Sequence, residues 1–144
     1  VEKAEKAGML VIYSNEKLMG MGRAPLNNPD AFQSYEPGLY WAKDFYANPM
    51  YGKFLLVPMN SRTTASPTGK DEYVFYRTGG LSWSIPYLAG MYVLAAQVDP
   101  AITPDTFWKL AMETGQTIET NHEGKNYQLG PILDPAALIA ALKR

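Results

Sequence analysis

Val1-Glu2-Lys3-Ala4-Glu5-Lys6-Ala7-Gly8-Met9-Leu10-Val11-Ile12-Tyr13 decides the fold class. Its first seven residues are charged and rich in good helix formers, and Gly8 is the residue type on which helices commonly stop. Five apolar residues then follow without alternation. A strand that is apolar on both faces needs cover on both, which is the condition of an interior strand in a parallel sheet. Helix, glycine and buried strand in that order predict an α/β domain with a mostly parallel sheet.

The rest of the chain fits that frame. Residues 16–37 carry Pro25, Pro29, Pro37 and Asn27-Asn28 and read as loop. Residues 39–50, with Tyr40, Trp41, Phe45 and Tyr46, fit either a strand or irregular packing. Phe54-Leu55-Leu56-Val57, ended by Pro58, is a second all-apolar strand, and residues 61–71 are polar and turn-forming. Tyr73-Val74-Phe75-Tyr76 is a short strand rich in β-formers. Residues 85–98 are helical by length and composition and apolar nearly all round, which predicts a helix in the centre of the domain. Pro86 is tolerated in a first turn, so this helix is expected to start near Ser84. Thr103-Pro104-Asp105 and Asp134-Pro135 each pair a capping side chain with proline at the first helical position, opening two more helices. Between them, residues 117–130 read as a hairpin turning through Asn121-His122-Glu123-Gly124.

Composition narrows the function classes. The 144 residues hold 13 Lys+Arg against 14 Asp+Glu, so the formal charge is −1 and no basic surface for nucleic acid or anionic lipid is expected. With 47% hydrophobic and 19% charged residues the chain can bury a core and is not of disordered composition. There is no Cys, which removes disulfides, thiolate metal sites and cysteine nucleophiles, and there is one histidine. No apolar run reaches the roughly 18 residues of a membrane span, and the charged start does not have the pattern of a signal peptide. Neither fact fixes the compartment.

Three places carry residues suited to chemistry. Gly79-Gly80-Leu81-Ser82 leads into the apolar helix, where a serine hydroxyl meets the positive end of the helix dipole and amide N–H groups without intrahelical partners. That setting stabilises an oxyanion and suits a nucleophile; it equally suits Ser82 and Ser84 as ordinary helix caps. Asn15 follows the carboxyl end of the first apolar run, where open α/β sheets place their sites, and is also a common turn residue. His122 occupies a polar hairpin tip, with nothing in its context that joins it to Ser82. Tyr40, Trp41, Tyr46 and Tyr51 suit either a groove or packing.

Gly80-Leu81-Ser82-Trp83-Ser84-Ile85-Pro86-Tyr87-Leu88-Ala89-Gly90 resembles the nucleophile motif of the subtilisin-like serine proteases, G-T-S-M-A-x-P-x-V-A-G. The flanks agree. Phe54 to Pro58 looks like the family's strand ending in A-P-G. Val98-Asp99-Pro100-Ala101-Ile102-Thr103-Pro104-Asp105 is similar to the start of the helix that follows, and Gly8 to Asn15 is similar to the strand delivering the oxyanion asparagine. The resemblance implies Ser82 as nucleophile and Asn15 as oxyanion donor beside the Ser82 N–H. It implies the C-terminal part of a three-layer subtilisin-like catalytic domain over residues 1–144. The departures are Leu81 for Thr, Trp83 for Met, Ser84 for Ala, Ser14 for the glycine before the asparagine, and Met59-Asn60 after the strand's proline. Trp83 implies a pocket beside Ser82 unlike that of an ordinary member.

In that family the catalytic Asp and His precede the oxyanion asparagine. The resemblance therefore implies that both belong to a missing N-terminal part, and that the 144 residues alone do not hydrolyse peptides. The partners it implies are a peptide or protein substrate, that N-terminal part and, through an exposed apolar sheet edge, a second copy. The sequence shows no cofactor; structural calcium is implied by the family alone. The alternative is a non-catalytic relative that binds peptide or protein in a cleft around Trp83.

Overall fold

The structure is a computed structural model that describes residues 1–13, 17–22, 28–35 and 53–143. The chain opens with helix α1 (Glu2–Lys6), which ends at Gly8 with φ +79°, the left-handed conformation that stops a helix without a Cβ penalty. Strand β1 (Leu18–Met21) and a short 3₁₀ turn (Phe32–Tyr35) follow. Then come β2 (Leu55–Pro58), β3 (Arg62–Ala65) and β4 (Tyr73–Tyr76). Helices α2 (Leu81–Val98) and α3 (Pro104–Glu113), the hairpin β5 (Gln116–His122) and β6 (Lys125–Ile132), and α4 (Pro135–Leu142) complete it.

The main sheet has the order β1-β2-β6-β5, with β1, β2 and β6 parallel and β5 antiparallel at the edge. The fold is α/β with a mostly parallel sheet. Strand β2 is buried at all four residues and lies between β1 and β6, the interior position that its unbroken apolar run predicts. One sheet face presents Leu55 and Val57 to a core built with Leu88, Met91 and Ala95 of α2, Phe107, Trp108 and Ala111 of α3, and Leu138 of α4. The other presents Leu56 beside Met21, Leu129 and Ile132. The described helices that build the core lie on the first face, so two layers of the expected three are on view among the described residues.

Local chemistry sets the later elements. Thr103 and Asp134 cap α3 and α4 by accepting from the Thr106 and Ala137 N–H groups, and Pro104 and Pro135 stand where the missing N–H has no partner to lose. The β5–β6 turn places Glu123 and Gly124 at φ +51° and +78°, the two positive values of a tight hairpin turn.

Four expectations need correction. Residues 9–13 are not a strand: Leu10 and Ile12 pack on the core without strand pairing, while Met9 and Tyr13 are exposed. Only residues 14–17 separate this segment from β1, too few for the crossover a parallel neighbour requires. The loop assigned to 16–37 contains β1, and the polar stretch 61–71 contains β3, whose threonines pair with β4. Finally, α2 begins at Leu81, not near Ser84, and is not central. Its fully buried residues Ser84, Leu88, Met91 and Ala95 form one stripe, and Val93 is 57% exposed.

Candidate active site

The parallel strands β1 and β2 end at Met21 and Pro58, and α2 begins at the same end of the sheet. Three contacts fix this arrangement. The Ser84 hydroxyl, fully buried, lies 3.2 Å from both the Val57 and the Pro58 carbonyl and donates into that pair, tying the first turn of α2 to the strand end. Gly79 presses against the Met59 carbonyl so closely that a Cβ there would lie 1.8 Å from the oxygen. Gly20 of β1 leaves room for the Met59 side chain and, behind it, Leu81. Leu81 thereby joins the main core, which accounts for an apolar residue before Ser82.

The two glycines have different reasons. Gly79 is required by close approach. Gly80 is the N-cap residue of α2 in ordinary extended backbone (φ −150°, ψ −179°), with open space where a Cβ would stand. Neither needs the unusual dihedrals that a Gly-Gly pair suggests.

Ser82 is the second residue of α2 and exposed. Neither it nor Ser84 caps the helix by its side chain, so the ordinary cap reading fails for both. Among the described residues the Ser82 hydroxyl has no hydrogen-bond partner. Its N–H lies in the first turn, where amides have no intrahelical acceptor. Pro86, expected in the first turn, is the sixth helical residue, and without an N–H it leaves the Ser82 carbonyl unbonded within the helix. An exposed hydroxyl, free amides and a positive dipole end thus meet at the carboxyl edge of a parallel sheet, where α/β proteins concentrate their sites.

The other candidates lie elsewhere. His122 ends β5 and pairs with Lys125 at the hairpin turn. Because β6 runs parallel to β2 and meets it at Ile132, seven residues from Lys125, the turn projects roughly 23 Å back along the strand. His122 and Ser82 are therefore at opposite ends of the sheet. Asn15 lies outside the described residues; Lys17, two residues on, precedes β1 and accepts from the Leu55 N–H. Tyr40, Trp41, Tyr46 and Tyr51 also lie outside them. Among the described residues no cluster of three His, Asp or Glu could hold a metal ion, and no helix is long and apolar enough to cross a membrane.

Trp83 is half-exposed and stacks on Tyr76 at 5.0 Å between ring centroids. It forms one wall of a 530 Å³ cleft with Pro86, Tyr87, Tyr35, Arg62, Thr63 and Thr64. The Arg62 guanidinium sits 4.4 Å from the Tyr87 ring and donates to the Pro58 carbonyl, while the Tyr35 hydroxyl meets Thr63 Oγ1 at 2.7 Å. In the sequence a cleft around Trp83 belongs to the alternative, binding reading. The sequence held no signal for Arg62 or Tyr35, which reach the cleft through tertiary contacts alone.

No protein-family model matches this chain, and no curated protein does. Among solved structures, the patellamide maturation protease PatA is similar, with 20% sequence identity and a TM-score of 0.43 over 67% of this chain and 36% of that one. The chain thus spans about a third of the length of that protease.

Proposed function

We propose that this chain is the nucleophile-bearing part of a subtilisin-like serine endopeptidase. The observation that carries the reading is Ser82, exposed and without a hydrogen-bond partner among the described residues, in the first turn of α2 at the carboxyl end of β2. The motif Gly80 to Gly90 supports it independently. In this reading Ser82 Oγ attacks the scissile carbonyl and its proton passes to a base beyond the described residues. The tetrahedral oxyanion is held by the Ser82 N–H and the Asn15 side-chain amide; on collapse the base returns the proton to the departing amine, and water, deprotonated by the same base, hydrolyses the acyl-serine. Without a base at its hydroxyl the serine stays protonated and is a weak nucleophile.

A second reading, a peptide- or protein-binding relative without catalysis, is favoured by one observation: the aromatic cleft begins at the residue next to Ser82. A fluorophosphonate serine probe on the full-length protein separates the two. Labelling that vanishes in Ser82→Ala supports the protease, and Asn15→Ala then slows labelling about 10²-fold. Undiminished labelling in Asn15→Ala removes that residue from the oxyanion site, and a folded protein that never labels leaves the binding reading.

A further inference from the structure

Among the described residues the β3–β4 hairpin has no third strand. A 2.8 Å bond from the Ser66 N–H to the Glu72 carbonyl fixes the phase of its ladder. In an antiparallel pair, residues that exchange bonds alternate with residues that do not. Thr64↔Val74 and Arg62↔Tyr76 are therefore the bonded pairs, and Thr63 and Ala65 turn their N–H and C=O groups away from β4. Both residues are exposed. Among the described residues, no backbone group of another element bonds to either, and the Ala65 carbonyl meets the Thr64 hydroxyl at the 3.5 Å limit.

Proteins usually blunt such an edge with charge or proline. Here the one charged side chain of β3, Arg62, folds back onto Pro58 and Tyr87, and Pro67 lies beyond the strand. Among the described residues nothing pairs with this edge, and the cleft lies beside it. Thr63 and Thr64 of β3 line it, no residue of β4 does, and Trp83, Pro86 and Tyr87 of α2 form the facing wall.

We propose that the β3 edge takes an extended peptide as an added strand. Its main chain bonds to Thr63 and Ala65, and an apolar or aromatic side chain enters between Trp83 and Tyr87. A row of alternating N–H and C=O groups is matched by another extended backbone, and the aromatic wall suits the alternate side chains that such a strand turns to one side. At 530 Å³ the cleft has the size of a pocket for side chains, not of a seat for a folded domain. The proposal rests on the reading above in which a peptide is the ligand, and not on Ser82 being activated.

The test uses the full chain with Ser82→Ala, so that nothing is cut, and a soluble library of end-capped ten-residue peptides. The best-retained peptide is remade with N-methyl groups at alternate residues in each of the two phases. One phase is expected to bind within about twofold of the parent and the other at least about tenfold more weakly, since it loses the bonding N–H groups. Equal binding or equal loss in the two phases overturns the proposal, as does a library from which nothing is retained. Thr63→Pro, which removes an outward N–H, is expected to give the same tenfold loss while Thr63→Val keeps binding. Should Thr63→Pro fail to fold, the two N-methyl phases still decide. Phase-dependent binding by a protein whose Ser82 never labels keeps this proposal and removes catalysis. A labelled Ser82 without phase dependence does the reverse.

Discussion

Ser82 and Ser84 stand two positions apart on one helix and have opposite physical roles. Ser84 is buried and its hydroxyl donates to the carbonyl pair of Val57 and Pro58. Removing that hydroxyl takes one donor from this carbonyl pair, of which Pro58 still accepts from Arg62, so Ser84→Ala is expected to lower stability by about 0.5–1.5 kcal/mol. Ser82 is exposed and without a partner among the described residues, and Ser82→Ala is expected within about 0.5 kcal/mol of the parent. Urea unfolding of the two variants checks the contrast, and equal losses would mean that Ser82 is also structural. The sequence distinguished Ser82 by its place after Gly79-Gly80. It could not distinguish Ser84, because a bond to carbonyls 26 and 27 residues earlier leaves no local trace. The glycines divide likewise: the pair marks a break ahead of the helix, but the boundary at Gly80 lies four residues before the expected start, and the demand on Gly79 comes from the Met59 carbonyl across the site.

Among the elements, those governed by neighbouring residues were legible. The α3 and α4 caps, the Gly8 stop and the Glu123-Gly124 turn are each settled within a few positions of chain. Elements governed by distant partners were not. Leu18–Met21 is a strand because Leu55–Pro58 lies beside it, and residues 9–13 are not one although their composition is more strand-like. Helix α2 shows the same limit. Its uncharged sequence predicts burial all round, yet one stripe faces the core and the opposite side carries Val93 and Leu94 at 57% and 49% exposure. Leu88→Ala should therefore cost about 2–5 kcal/mol, while Val93→Lys should stay within about 0.5 kcal/mol, as read by thermal unfolding. A large loss in Val93→Lys would show that this side of α2 is covered in solution.

At the scale of the whole molecule, strand polarity governs what can act together. Three parallel strands give the sheet two unlike ends. Met21, Pro58 and the start of α2 gather at one, and the long β5–β6 hairpin carries its turn toward the other. A catalytic base must come within about 3 Å of the hydroxyl it deprotonates, and no side-chain rotation closes a backbone separation of roughly 23 Å along a strand. The one histidine of the sequence is thus set apart from Ser82 by topology, not by a local conformation that substrate could change. His122→Gln is accordingly expected to leave fluorophosphonate labelling of the full-length protein at the parent rate. Labelling abolished in a His122→Gln protein that keeps its parent unfolding transition would require the hairpin to fold over the carboxyl end of the sheet. That result would overturn both the separation of His122 from Ser82 and the assignment of the base to residues beyond those described.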